Sequence, residues 1–226
     1  MGCPMQKEFY QNKLYPLQDK VMKIMGELEN PFYLTGGTAL SRYYLNHRYS
    51  EDLDFFVNRD DNFKDHADMF IDELTKYYSL SIDIKTRDFV RFNIKESDVL
   101  LKIELINDVK YHFGHFINKI CRIDNVENIL SNKISAISRN VPKDFADILY
   151  IALNYHFNWI EVFDAAKKKD AWVNEIEIAN IIDSFNANKI LDLNWIVPEA
   201  EVKKHLGNFH IIAKDILKGI DNSLFK

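Results

Sequence analysis

The stretch GGTALSRYYLNHRYSEDLDFF, from Gly36 to Phe56, decides how this chain is read. An apolar run before it, PFYLT at 31–35, reads as a short buried strand. Gly36 and Gly37 let the backbone turn sharply and approach a ligand with no Cβ in the way. Thr38 suits the N-cap of a helix that carries Ala39, Leu40, Tyr43 and Tyr44 inward at helical spacing. The free amides and positive dipole end of such a helix favour an anion, phosphate above all.

The stretch closes on Glu51-Asp52-Leu53-Asp54-Phe55-Phe56. A period of two puts Asp52 and Asp54 on one strand face and Leu53 and Phe55 on the other. Two ionised carboxylates about 7 Å apart along a strand repel unless something neutralises them. Magnesium does so while taking only one or two protein carboxylates, leaving the rest of its shell to water and substrate phosphates. Each part alone is weak, since Gly-Gly before a helix is often only a tight connection and Asp-x-Asp is common on solvated strands. In this order, with Arg48 and Ser50 just ahead of the carboxylates, they point to a metal-bound nucleoside triphosphate.

Working outward, residues 16–28 form a helix with Pro16 in its first turn and Leu17, Val21, Ile24 and Met25 on one side. Residues 60–78 read as an amphipathic helix, and SLSIDIKT, DFVRFNIK and VLLKIELI as three strands. In the third, Lys102 and Glu104 share one face of a strand otherwise made of Val99, Leu101, Ile103 and Leu105, and a solvated charge pair is one reading of them. From Asp124 the chain turns helical. Asp124-Asn125-Val126-Glu127 fits a capping box, and the helix it opens runs to the break at Val141-Pro142. Further helices are expected over 143–157, 159–169, 174–185 and 199–219. Helices and strands alternate only in part, so the fold class is α+β: a mixed-sheet domain over 1–122, then a helical domain over 123–226 that closes a cleft.

Composition narrows the function classes. With 226 residues, 47% of them hydrophobic, the chain can bury a substantial core. A formal net charge of -5 argues against a broad basic surface for nucleic acid, so any RNA contact is local. Cys3 and Cys121 lie far apart, which implies neither a disulfide framework nor a zinc site and fits a reducing cytoplasm. No secretion signal or membrane span is expected, and Gln6 stands where Met1-Gly2-Cys3 would need Ser or Thr for myristoylation.

The residues Gly36, Gly37, Thr38, Leu40, Arg48, Ser50, Asp52, Leu53, Asp54 and Phe55, with the later block KISAISRNVPKDFADILYI, carry a family likeness. The chain resembles the minimal nucleotidyltransferases of the DNA polymerase beta superfamily, and within it the AbiEii/AbiGii toxin family. The match covers about residues 30 to 155.

The resemblance implies transfer of a nucleoside monophosphate from a triphosphate to an acceptor hydroxyl, with RNA, transfer RNA first, as acceptor and a neighbouring antitoxin as partner. It implies magnesium or manganese on Asp52 and Asp54, with Glu104 as the superfamily's third carboxylate, where many relatives have Asp, either taking the proton of the attacking hydroxyl or completing a second metal site. Gly36, Gly37 and Thr38 would bind the β- and γ-phosphate oxygens through backbone amides and a hydroxyl, Lys133 would supply a charge to the phosphates, and Arg139 would stand near them or the acceptor. Asp144 or Asp147 would face the cleft, and Ser50 would orient Asp52. Without the family, Lys133 reads equally as a surface lysine, and Asp144 and Asp147 as exposed helix acids with Lys143 as an i, i+4 partner for Asp147. Lys133 and Arg139 on one helix would also stand about 120° apart, so one of them would serve structure. Tyr49 is a candidate for base stacking, and Lys167 to Lys169 read as a solvated helix end. Two other functions use the same residues: a non-catalytic nucleotide-binding module, or a metal-dependent nuclease.

Overall fold

A computed structural model describes residues 4–226, so Cys3 and the Met1-Gly2 start lie outside the described residues. The described residues form seven strands, with alternating burial in β2, β4 and β5: β1 (Tyr33–Thr35), β2 (Leu53–Asn58), β3 (Ser79–Lys85), β4 (Phe89–Glu96), β5 (Val99–Asp108), β6 (Ile117–Asn118) and β7 (Arg122–Ile123). They form one mixed sheet in the order β3-β4-β5-β2-β1-β7-β6. The pairs β2–β5 and β1–β7 are parallel, the rest antiparallel.

The helices before and among these strands are α1 (Pro4–Phe9), α2 (Tyr15–Glu27), α3 (Gly36–Leu40) and α4 (Phe63–Thr75), with π-helical turns continuing α1 into α2 and extending α3 to Leu45. After β7 come α5 (Val126–Ala136), α6 (Pro142–Asn154), α7 (Trp159–Lys169), α8 (Glu175–Ser184), α9 (Glu199–Lys204) and α10 (Asn208–Lys218). Among the described residues no helix is long and apolar enough to cross a membrane.

The pleat sorts each central strand into two faces. Leu53, Phe55 and Val57 of β2, Leu101, Ile103 and Leu105 of β5, and Val90, Phe92 and Ile94 of β4 are buried. Phe70 of α4 packs edge-on between Phe55 and Phe92, with ring centroids 5.9 and 6.3 Å away. Each such buried side chain contributes roughly 1.5–3 kcal/mol. Residues of opposite parity, Asp54, Phe56, Arg91, Glu104 and Ile106, line a cleft on the other face.

Helix α6 is buried continuously from Asp144 to Ala152, the pattern of a helix surrounded by others. Phe145 stacks on Phe185 at 3.6 Å between ring centroids, with Phe209 edge-on. One contiguous hydrophobic cluster runs from α2 through the sheet to α10.

Three expectations are corrected. Helix α3 begins at Gly36, with Thr35 as its N-cap residue, because Gly36 takes φ +69 and turns the chain two residues before Thr38. Helix α5 ends at Ala136, and a 3-10 turn over Ile137–Arg139 followed by left-handed Asn140 reverses the chain before Pro142. Arg139 therefore leaves the helix that carries Lys133, and the 120° separation does not apply. The span 199–219 is two helices broken around Gly207, where a glycine interior to one helix would cost about 1 kcal/mol.

Candidate active site

Parallel pairing of β2 with β5 lays Asp54 beside Glu104, and the same row continues to Thr35 on β1 and Arg91 on β4. Asp52 immediately precedes β2 and points to the same side: Lys102 Nζ, on the cleft face of β5, lies 2.9 Å from Asp52 Oδ2 and 3.4 Å from Glu104 Oε1. Arg91 Nε donates to Glu104 Oε1 at 2.8 Å. Asp54 makes no ion pair among the described residues. Its partial burial, then Glu104 and Asp52, push its carboxyl up to about 6, against a smaller pull from Lys143 and Lys102.

The glycine pair is explained by these neighbours. A Cβ on Gly36 would stand 2.8 Å from Asp54 Oδ2, and one on Gly37 would stand 2.6 Å from Arg48 Nη2. The space that two side chains would fill is thus occupied by the carboxylate on one side and the guanidinium on the other.

Opposite the sheet, α5 and α6 supply a second charged group. Lys133 is buried, with Nζ 2.6 Å from Asp144 Oδ1 and 2.7 Å from Asp147 Oδ2. Arg48 holds Asp147 with both arms, Nε to Oδ1 at 2.7 Å and Nη2 to Oδ2 at 2.8 Å. Burial opposes the Asp147 charge, but Arg48 and Lys133 outweigh it and hold its carboxyl well below the usual carboxylate range. Burial lowers His47, so its neutral ring donates from Nε2 to Asp147 Oδ1 at 2.9 Å, and Nδ1 is left without a partner. Burial also opposes the Lys133 charge, yet Asp147 and Asp144 keep its ammonium above the ordinary lysine value. Arg139, largely exposed, reaches Asp144 Oδ2 at 3.3 Å.

Between these walls lies a cleft of about 1020 Å³. Gly36, Gly37, Ser50, Asp52, Asp54 and Glu104 line it on one side, and Lys133, Arg139 and Asp144 on the other. Thr38 and Asp147 stand behind its surface, both fully buried. The Thr38 hydroxyl, expected to reach a phosphate, is fully buried instead: it donates to the Asp52 carbonyl and lies 2.8 Å from Ser50 Oγ, so it braces the acidic loop from inside. Gln18 of α2 braces the same loop through the carbonyls of Ser50 and Glu51. Lys133, Asp144 and Asp147 are buried, which excludes the surface reading, and Asp147 takes Arg48 and Lys133 as partners in place of Lys143. Tyr49 is stacked on Tyr10, centroids 4.1 Å apart, so one ring face is already covered.

Arg48, Lys102 and Lys143 also line the cleft, and sequence reasoning assigned none of them to the site. Arg48 carried one signal, its place in the family block. Lys169 was read as solvated, but its ammonium is held by Asn128 Oδ1, Ser131 Oγ and Asn132 Oδ1 of α5 and lines the cleft. The strand-like bridge from Arg48 to Trp195, which brings Leu193 and Asn194 to the cleft wall, had no sequence signal.

Among the described residues no three His, Cys, Asp or Glu side chains are grouped to hold a metal ion. Lys102 stands among the carboxylates instead. The donor chemistry nevertheless fits a hard divalent cation, since Asp52, Asp54 and Glu104 offer oxygen ligands, and burial followed by Glu104 and Asp52 raises Asp54.

A family model described as nucleotidyl transferase AbiEii toxin, type IV toxin–antitoxin system, matches residues 24–219. No curated protein matches the chain. Among solved structures, two proteins of Helicobacter pylori share the fold. One has TM-score 0.62 at 20% identity over 92% of this chain and 97% of its own. The other has TM-score 0.59 at 21% identity over 96% of each. MenT4, a nucleotidyltransferase toxin of Mycobacterium tuberculosis, has TM-score 0.55 at 12% identity over 89% of this chain and 83% of its own. The fold, the paired carboxylate strands and a family match over most of the chain agree: the chain belongs to the AbiEii nucleotidyltransferase toxin family.

Proposed function

We infer that this nucleotidyltransferase moves a nucleoside monophosphate from a triphosphate to a hydroxyl of RNA, the transfer RNA 3′ end first, and that a divalent cation on Asp52 and Asp54 is required. The observation that supports this most is the pairing of an acidic sheet wall, where Asp54 has no ion partner, with a cationic wall across the same cleft. A magnesium or manganese ion bound there neutralises charge between carboxylates and triphosphate.

The chain's own residues divide the remaining work. Lys133, Arg139 and Lys143 face the phosphates, and the backbone of Gly36 and Gly37 lines the same cleft to meet them through its amides, the places of the missing Cβ atoms being taken by Asp54 and Arg48. Ser50 and Thr38 hold the Asp52 loop in place. Glu104 is placed to take the proton of the acceptor hydroxyl as its oxygen bonds to the α-phosphorus and pyrophosphate leaves. Asp144 positions Lys133 at the cleft surface, and Asp147 fixes Lys133 and Arg48 from behind. We assign the segment 123–226 as the unit that closes the cleft over the nucleotide, and an antitoxin as the partner that restrains the activity.

Incubation with each α-labelled ribonucleoside triphosphate, magnesium and total RNA tests the reading. Label in RNA is expected, and is lost when the metal is chelated. No label in RNA or protein for any nucleotide would overturn it, and RNA shortening without added nucleotide would assign the site to a nuclease.

A further inference from the structure

Lys102 is an unusual side chain to find among three carboxylates expected to hold a metal. It sits on β5 two residues before Glu104, on the same strand face, and β5 runs parallel to β2 so that Ile103 pairs with Leu53. That register brings Lys102 beside Asp52, and its ammonium bridges Asp52 Oδ2 at 2.9 Å and Glu104 Oε1 at 3.4 Å. It also acts electrostatically on Asp54. A metal ion on Asp52 and Asp54 would compete with this ammonium for Asp52 Oδ2, at the shorter metal–oxygen distance of about 2.0–2.1 Å for magnesium.

The two cations exclude one another, by volume and by like charge. The Lys102 side chain is 36% exposed, and its four-carbon stem is flexible, so it has a path out into the cleft. Arg91 Nε pairs with Glu104 Oε1 at 2.8 Å, a contact that does not involve Lys102.

We propose that Lys102 is a placeholder cation: it neutralises Asp52 and Glu104 in the free protein, and the divalent ion displaces it only when a nucleoside triphosphate arrives with the metal. This rests on the metal-dependent reading above. Two consequences follow from the exclusion. Metal alone binds weakly, because it must displace an ion pair. Metal and triphosphate bind cooperatively, because the phosphates supply ligands and receive the released ammonium.

The test is manganese binding followed by electron paramagnetic resonance, without nucleotide and then with α,β-methylene analogues of the four ribonucleoside triphosphates. Wild type, Lys102→Met, Lys102→Arg and Asp54→Asn are compared, with melting curves to show that each is folded. Lys102→Met is expected to bind manganese alone at least tenfold more tightly than wild type, and to lose most of the enhancement by the analogue. Lys102→Arg is expected to bind as wild type does. Equal manganese affinity in wild type and Lys102→Met, with binding abolished in Asp54→Asn, would overturn the placeholder and leave the metal site standing. Weaker binding in Lys102→Met would overturn it as well. No manganese bound by any folded variant, with or without an analogue, would remove the metal-dependent reading and the placeholder together.

Discussion

Asp147 and Asp54 are both carboxylates withdrawn from bulk water, on opposite sides of one cleft, yet they are treated in opposite ways. Asp147 receives Arg48 through two hydrogen bonds, Lys133 and the neutral His47 ring, and its proton affinity falls. Asp54 has no ion partner among the described residues, faces Glu104 and Asp52, and its proton affinity rises. The first arrangement uses up its charges internally and holds α6 against the Arg48 loop. The second leaves a charge unanswered, which stabilises the fold less and a bound cation more.

Removing a carboxylate from each cluster breaks the comparison most sharply. Asp147→Ala leaves Lys133 and Arg48 as buried cations with one acid fewer, so a loss of about 3–5 kcal/mol is expected, read as the change in urea unfolding free energy. A loss under 1 kcal/mol would show that water reaches those cations.

Gly36→Ala tests the contact that sets Asp54 in place. The residue has φ +69, and its Cβ would meet Asp54 Oδ2 at 2.8 Å. A cost of about 1–3 kcal/mol is expected in the urea unfolding free energy, with a fall in turnover because the carboxylate is displaced. Unchanged turnover would detach Asp54 from the reaction.

Lys169 sharpens the comparison from a third position, since it is a cleft-lining cation held by neutral oxygens. Burial pushes it down to about 8, against attraction from Asp124 and Asp108. The folded state then releases this proton before the unfolded state does, so wild-type stability rises with pH between about 8 and the ordinary lysine value of 10.5. Relative to Lys169→Met, wild type should gain about 1–2 kcal/mol of unfolding free energy between neutral pH and about pH 9.5. Parallel pH profiles would mean that the α5 oxygens keep the ammonium charged throughout.

The same contrast separates what the sequence revealed from what it concealed. Period-two alternation located β2, β4 and β5, and sorted Asp54 and Glu104 from the core residues between them. Alternation is a property of one strand, however. That β2 and β5 are parallel neighbours, which sets Asp54 beside Glu104 and Lys102 beside Asp52, depends on a crossover through α4, β3 and β4. The two-residue strands β6 and β7 are too short to show any period.

On the other wall, Arg48 and Asp147 are 99 residues apart, and nothing local distinguishes a buried arginine from a solvated one. Thr38 was misplaced for a related reason: the N-cap preference of threonine was weighed, while the positive φ of Gly36 had already started the helix. Local chemistry was legible; partners distant in sequence were not.

The most direct measurement is Asp54→Asn set beside wild type in two assays, label transfer from α-labelled triphosphates and urea unfolding. The neutral amide removes a charge that burial, Glu104 and Asp52 all disfavour, so stability is expected to stay level or rise while transfer falls by ~10³-fold. Transfer kept within tenfold of wild type, or a fall in stability like that of Asp147→Ala, would contradict the division of the cleft into a structural and a reactive wall.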